Sequence, residues 1–445
     1  MKKVSGVRNI TKKRYNPVVV TVLFITILFA LGAVFFFFFL DRFFYDRTQI
    51  DMHFFTPDEQ MRQAISDEGF LPDEMFDRTI DLLVKKTESD PFVTSWYVLP
   101  GQLQRMPEIQ SDQLNAMDQI NLARVYIVRG DKRSAQQLLD AISDIFSDDN
   151  GRIVGYILTN GSEEDSRDLS IQEEKAISGP CLEATTAYLR ALLEYYHQWG
   201  TEADWMRIES LADAIFDGTD FYNDIAFAPS KMSELIVGLE DYDNYFTDLQ
   251  DETVYSAYRL SSLDLFAFRT LAEVDPEKYQ LMYDVALNRV SDGMLTDDLP
   301  LFARAYSESG GGYVYFMGEE AHIELFSSLK VMLHLAEIDA LPASSLAWLR
   351  QQIYNNGILY THYDILWGTP VTAQEDIAAY GLTLRIAVAV EDHALYAHTL
   401  VVLTRRRATL STSPARHMIF RQLTGQRNMV IADDNMQALL AMSAR

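Results

Sequence analysis

Apolar positions recur at three- and four-residue spacing through most of the chain, as in Leu192, Tyr195, Tyr196 and Trp199, which predicts amphipathic helices. After two short helices, one opened by Thr56-Pro57-Asp58-Glu59 as a capping box with proline in the first turn and one over Pro72–Lys86, the predicted helices come in pairs. Asp112–Arg129 pairs with Lys132–Phe146 across Gly130-Asp131, and Pro180–Trp199 with Thr201–Phe216 across Gly200, with Thr201 as N-cap. Ser256–Glu273 pairs with Pro276–Val290, Glu319–Ile338 with Ala343–Asn355, and Ala373–Val390 with Asp392–Arg406. A last helix is expected near Asp434–Ser443.

Strand patterns are few and short, so the expected class is all-α. Helix pairs recurring about every 35 residues suit an α-solenoid or a closed toroid of helical hairpins. No consensus repeat emerges between the pairs, which disfavours tetratricopeptide-like arrays. Ser95–Arg105 reads as extended or loop, Asn160–Lys175 as a polar loop, and Phe216–Leu249 as an aromatic, acidic loop. Such long loops favour the toroid, in which they build one cleft.

Before the helices, Pro17–Leu40 contains no charge and ends in a run of phenylalanines. Its twenty-four residues span about 36 Å as a helix, enough to cross a bilayer with tilt. Lys2, Lys3, Arg8, Lys12, Lys13 and Arg14 precede it with no acidic residue, which places the N-terminus in the cytoplasm and the rest outside the cell. A cleavable signal peptide would have a shorter apolar core and a small-residue cleavage site, so the segment reads as a signal anchor. The expected organisation is a basic tail over residues 1–16, a transmembrane helix over 17–40, a stalk over 41–55 and an extracellular helical domain over 56–445.

Charge narrows the partners. The formal total is −26 with six basic groups in the first sixteen residues, so the remainder carries −32 and repels nucleic acid and anionic lipid. One cysteine, Cys181, rules out an intramolecular disulfide and a multi-cysteine zinc site. His322, His334 and His362 have no metal-site spacing and no Gly-x-Ser-x-Gly occurs, so neither a metal nor another cofactor is expected.

Phe266-Ala267-Phe268-Arg269-Thr270-Leu271-Ala272-Glu273-Val274-Asp275-Pro276 resembles a Tyr-Ala-Tyr-Arg-x-Phe-Ala-Glu-Val-Asp-Pro segment of family 8 glycoside hydrolases, closest to the branch found beside Gram-positive exopolysaccharide genes. Glu319-Glu320-Ala321-His322-Ile323 stands where that family has its catalytic-base segment, Tyr-Asp-Ala-x-Arg. Gly357-Ile358-Leu359-Tyr360 with Tyr363-Asp364 resembles the Tyr-x-x-Tyr-Asp loop, and Glu375, Ala378, Tyr380 and Gly381 match a Glu-Ser-x-Ala-x-Tyr-Gly helix start. The resemblance runs over roughly residues 110 to 410 and implies an (α/α)6 toroid acting on β-linked polysaccharide, which is the expected partner. The family's general-acid glutamate has no counterpart in Asn115-Ala116-Met117-Asp118-Gln119-Ile120, and its Asp-rich substrate segment falls at Leu182-Glu183-Ala184-Thr185.

Inverting hydrolysis needs one protonated carboxyl and one ionised carboxylate about 6.5–9.5 Å apart across the bond. On this resemblance Glu320 takes the place of the base, with Glu324 its competitor, and Asp118 or Glu183 would donate the proton. Trp96 and Trp367 are the candidate sugar platforms because they fall in predicted loops, whereas Trp199 and Trp348 follow core periodicity. Tyr360, Tyr363, Asp364 and Glu375 complete the implied substrate contacts. Three readings stay open: an inverting endo-glycosidase with a displaced acid, an inactive fold that binds glycan or a membrane-bound polysaccharide synthase, and an interaction module without a cleft.

Overall fold

The computed structural model describes residues 48–84, 92–99, 109–158, 178–227, 255–315, 321–423 and 427–443, together with Thr26 and Phe29. Among the described residues no helix is long and apolar enough to cross a membrane, and the remainder of Pro17–Leu40 lies outside them. Six helices form an inner ring: α3 (Ala116–Val128), α5 (Leu182–Trp199), α7 (Leu265–Val274), α9 (Leu325–Ala336), α11 (Ile377–Ala389) and α13 (Ala432–Met442). Each packs on the next, and α13 closes back onto α3. Outside them lie α2 (Pro72–Leu83), α4 (Lys132–Phe146), α6 (Glu202–Ile215), α8 (Pro276–Ser291), α10 (Ala343–Gln351) and α12 (His393–Thr404), while the short α1 (Glu59–Asp67) packs on α12. This is an (α/α)6 toroid.

Sequence decides which ring each helix joins. Helix α11 buries every residue except Arg385 and Ala389, as a helix surrounded by others must. Helix α4 buries one stripe, Ala135, Leu138, Leu139, Ile142 and Phe146, and leaves lysine, arginine and glutamine to water. The inner helices approach closely: a Cβ on Gly381 of α11 would lie 2.6 Å from the Gln437 Cβ of α13.

Aspartate N-caps start several helices. Asp131, Asp264, Asp376 and Asp392 each accept from a backbone N–H three residues on. The expected Thr201 cap forms a full capping box with Asp204. The first helix departs from expectation: its cap is Asp58, which accepts from the Met61 N–H at 2.9 Å, and Thr56 lies outside it.

The larger departure is strand. Gln113–Asn115 (β3), Tyr255–Arg259 (β6), His322–Glu324 (β9) and Arg427–Ile431 (β12) run immediately before inner helices, or before the 3-10 turn that leads into α7. The helices expected from Asp112, Ser256 and Glu319 therefore begin at Ala116, Leu265 and Leu325. These residues pair with distant partners, β3 with β4 (Tyr156–Leu158) and β9 with β10 (His362–Asp364), which local periodicity does not encode. The sheets β11 (Arg421–Leu423)–β12–β1 (Trp96–Val98)–β2 (Ile109–Gln110) and β5 (Ile225–Phe227)–β6–β7 (Ala305–Ser307)–β8 (Gly312–Val314) are likewise antiparallel. Strands thus gather at the N-terminal ends of the inner helices and rim one mouth of the toroid.

The opposite end is covered. The segment expected as the end of a stalk belongs to the compact body from Gln49 onward. Met52 is buried, the Ile50 carbonyl lies 3.1 Å from His197 Nδ1, and Phe55 meets the Phe266 ring edge-on at 5.3 Å.

Candidate functional site

The ring axis holds two spaces separated by a charged septum. The first lies toward the helix N-termini and is lined by Met117, Asn121, Glu183, Thr186, Lys330 and His334, among others. The second lies toward the C-termini between Val128, Val388, Leu440 and Ala441 and the charged Arg190 and Glu194, with Phe54 and Phe55 over it. Arg124, Glu337 and Arg385 border both.

The septum is built from one arginine on each of three inner helices and carboxylates from three. Glu194 accepts from Arg124 Nε and Nη2 at 2.9 and 2.7 Å and from Arg190 Nε at 2.9 Å. Arg190 Nη1 also donates at 3.2 Å to both Asp264 and Glu337. Arg385 reaches Gln437 at 2.7 Å and Glu337 at 3.8 Å. Burial opposes ionisation of Glu194, but Arg124 and Arg190 outweigh it and hold the carboxyl below its usual range. Burial and then repulsion from Arg124 push the Arg385 guanidinium down to about 10. Removing one member of such a cluster strands the others, which typically costs about 3–5 kcal/mol.

Asp264, His334 and Glu337 place three ligand atoms within 4.8 Å of one another. They do not suit a metal ion, because the Arg190 guanidinium already sits between the two carboxylates as their cation.

At the mouth, Glu183 in the first turn of α5 forms a close ion pair with Lys330 of α9, and Arg259 stands 3.9 Å away. Burial raises the Glu183 pKa, but Lys330 and then Arg259 outweigh it and hold the carboxyl below its usual range. It is therefore an ionised acceptor. Asp118, one residue round α3 from cavity-lining Met117, is the opposite case. Burial, then the charge of Asp433, raises it to about 8, and its Oδ2 is buried with no hydrogen-bond partner. It does not line the cavity.

The remaining predicted residues scatter. Glu320 lies outside the described residues. Glu324 is the N-cap residue of α9 and accepts from Ser327 Oγ at 2.6 Å, with Arg304 at 3.9 Å. Trp96 is half-buried on β1 opposite Ile431, on the rim. Trp367 is 79% exposed on the loop after β10, and Asp364 accepts from the backbone N–H groups of Leu366 and Trp367 that shape this loop. Tyr360 is half-buried and bridges to Glu375, whose carboxylate is taken by Tyr380 Oη at 2.6 Å and by Arg406. Tyr363 corrects the expectation: fully buried against Trp348, it has no surface to offer a sugar.

Lys330, Arg190, Asp264, Glu337 and Asp433 were not singled out from the sequence. The available signal was charge on an otherwise apolar helix face, as at Arg190 within Leu189–Tyr196, but the partners lie 74 and 147 residues away.

No protein-family model matches the sequence, and no relative is found among curated proteins. Solved structures do match. A Clostridium perfringens protein described as a novel alpha-amylase superposes with a TM-score of 0.62 at 16% identity, covering 83% of this chain and 97% of its own. PssZ from Listeria monocytogenes gives 0.51 at 9% identity over 82% and 93%. A cold-adapted family 8 xylanase in complex with substrate gives 0.50 at 11% identity over 85% and 93%. At these identities the likeness is one of fold, and the fold is that of family 8 glycoside hydrolases.

Proposed function

With the family 8 toroid as premise, we propose that this chain is a glycan-binding protein that takes a β-linked, cell-surface or secreted polysaccharide into the mouth at the N-terminal ends of its inner helices. Pro17–Leu40 and its basic flank support a single-pass anchor with the N-terminus cytoplasmic and the toroid outside the cell. In that setting the protein serves polysaccharide assembly or export, with a membrane-bound synthase as the partner. The surface charge suits a neutral or cationic glycan.

One observation carries the preference for binding. Among the described residues, each carboxylate lining the open cavity is matched by a cation: Glu183 by Lys330, and Asp264 and Glu337 by Arg190. Ionised pairs of this kind accept and donate hydrogen bonds to sugar hydroxyls but hold no proton for a leaving group. Calorimetry of the full-length protein in detergent with β-linked oligosaccharides tests this. Binding without cleavage, weakened about tenfold or more by Glu183→Gln, is expected, since a hydrogen bond to a charged group contributes about 1.5–3 kcal/mol. Binding unaffected by that substitution counts against the site.

A second reading, inverting hydrolysis, is favoured by Asp118 alone. Its raised pKa leaves it protonated at neutral pH, as a general acid must be, and Glu320 is then the base. Release of the inverted anomer, followed by NMR, is its signature.

A further inference from the structure

Residues 365–374, which follow β10 on the rim of the open mouth, carry no charge in a chain with 64 acidic residues. Eight of these ten residues are exposed, Leu366 by 53% and Trp367 by 79%. The acids on either side are already engaged. Asp364 Oδ1 accepts from the backbone N–H groups of Leu366 and Trp367 at 2.9 and 2.7 Å, and Glu375 is taken by Tyr380 and Arg406.

The loop is built, not loose. The Asp364 N–H donates to the Thr369 carbonyl at 2.8 Å, and the Gly368 N–H to the Asp364 carbonyl at 2.9 Å. Further along, the Val371 N–H donates to His362 at 3.1 Å, and the Thr361 N–H to Gln374 at 3.0 Å. Gly368 takes a φ of +62°, and a Cβ there would stand 3.3 Å from Leu299 Cδ1. The backbone therefore fixes the tryptophan before any ligand arrives, so little ordering entropy remains to be lost on binding. The position is set by the β9–β10 pairing, in which Asp364 opposes His322, two residues before the start of α9 at Glu324. Six residues of helix, one step between strands and two residues of strand put Asp364 within about 20 Å of cavity-lining Lys330. That is a reach of a few sugar rings.

Resting on the glycan-binding reading, we propose that residues 365–374 form an outer subsite for the same polymer. The Trp367 ring stacks on the apolar C–H face of a neutral sugar, while sugars further along the chain meet Glu183 and Lys330 in the mouth. Thr369 and Gln374, both exposed, offer uncharged hydrogen-bonding groups beside the ring. Charge selects this occupant. No lysine or arginine stands in the loop to hold an anionic lipid or polymer against the acidic remainder of the domain. A neutral glycan meets no charge to repel it and none to desolvate. Two-point attachment then ties affinity to length, because only a chain long enough to span both places gains from the second contact.

The test is calorimetry of the full-length protein in detergent with neutral β-linked oligosaccharides of increasing length. In the wild type, affinity should rise with length. Trp367→Ala should remove that rise, weakening the longest oligosaccharides by roughly three- to tenfold and leaving the shortest unchanged. Trp367→Phe, which keeps a ring, should restore much of the loss. Because the side chain is exposed, both variants should melt with the wild type. A Trp367→Ala effect equal at all lengths, or absent at all lengths while short oligosaccharides bind, overturns the subsite and leaves binding in the mouth intact. Self-association of the wild type in sedimentation, lost in Trp367→Ala, together with affinity that ignores length, makes the loop an interface between copies and overturns the subsite as well. Failure of the wild type to bind any oligosaccharide sinks the glycan-binding reading itself, and the subsite with it.

Discussion

The two ends of the ring axis use the same helices for opposite ends. Toward the helix N-termini the space is open, rimmed by strands and lined by Asn121, Glu183, Lys330 and His334. Toward the C-termini the charged cluster of Arg124, Arg190, Glu194, Glu337 and Arg385 forms one wall and Val128, Val388, Leu440 and Ala441 the other, under Phe54 and Phe55 of the segment that enters the domain. The difference follows from backbone direction. Helix N-termini present unpaired N–H groups and a positive dipole end, which favour a carboxylate such as Glu183 and hydrogen-bonding ligands. At the C-terminal ends two phenylalanines cover the space. Between the two lies the arginine–carboxylate septum, whose Arg124, Glu337 and Arg385 border both spaces.

The comparison can be broken from the middle outward. Arg190→Ala should do most damage, about 3–5 kcal/mol of stability by chemical denaturation, because Glu194, Asp264 and Glu337 lose their shared cation. Equal loss at high and low salt is expected, since the cluster is buried.

Next in size is the pH dependence of stability. Asp118 is raised from 3.8 to about 8 by burial and then by Asp433, so between those values the folded protein keeps a proton that the unfolded chain has released. Stability therefore falls as pH rises through that window, by up to about 1.4 kcal/mol per pH unit. Asp118→Asn should flatten the decline in thermal melts between pH 5 and about 8. Glu183 contributes with the opposite sign. Its lowered pKa gives stability present above the ordinary glutamate range and lost as pH falls below it, an effect that Glu183→Gln should remove.

Replacing Phe54 and Phe55 together by alanine should cost less, about 1–3 kcal/mol, because both rings are only half-buried. It sharpens the contrast between the mouths. Oligosaccharide affinity at the open end should stay within about twofold of wild type, and a larger loss would mean that the septum transmits the change.

Much of this fold was readable from the chain. The helix pairs over Lys132–Phe146, Pro276–Val290 and Asp392–Arg406 were legible from periodicity, whereas burial in the structure separates the inner Ile377–Ala389 from the outer Lys132–Phe146. Asp392 marked a helix start and Gly-Pro before Glu183 marked another, at a residue that lines the cavity, whereas the Asp264 cap went unread behind β6. The cavity's other half was not readable. Lys330 looks like one lysine on an amphipathic helix, and Glu337 like one acid among many at a helix end. Tyr363 looked like part of a sugar-binding loop, but the β9–β10 pairing turns it into the core.

From the chain alone came the helical class, the pairing of helices and the acidic character of the domain, which rest on periodicity, turn residues and composition, all local quantities, while the (α/α)6 ring came only through the resemblance to family 8. Only the tertiary structure decided which carboxylates are ionised and which are protonated. A side chain's charge state depends on what stands within a few ångströms. Glu183 meets a lysine 147 residues away, and α13 brings Asp433 back to Asp118 from the far end of the chain.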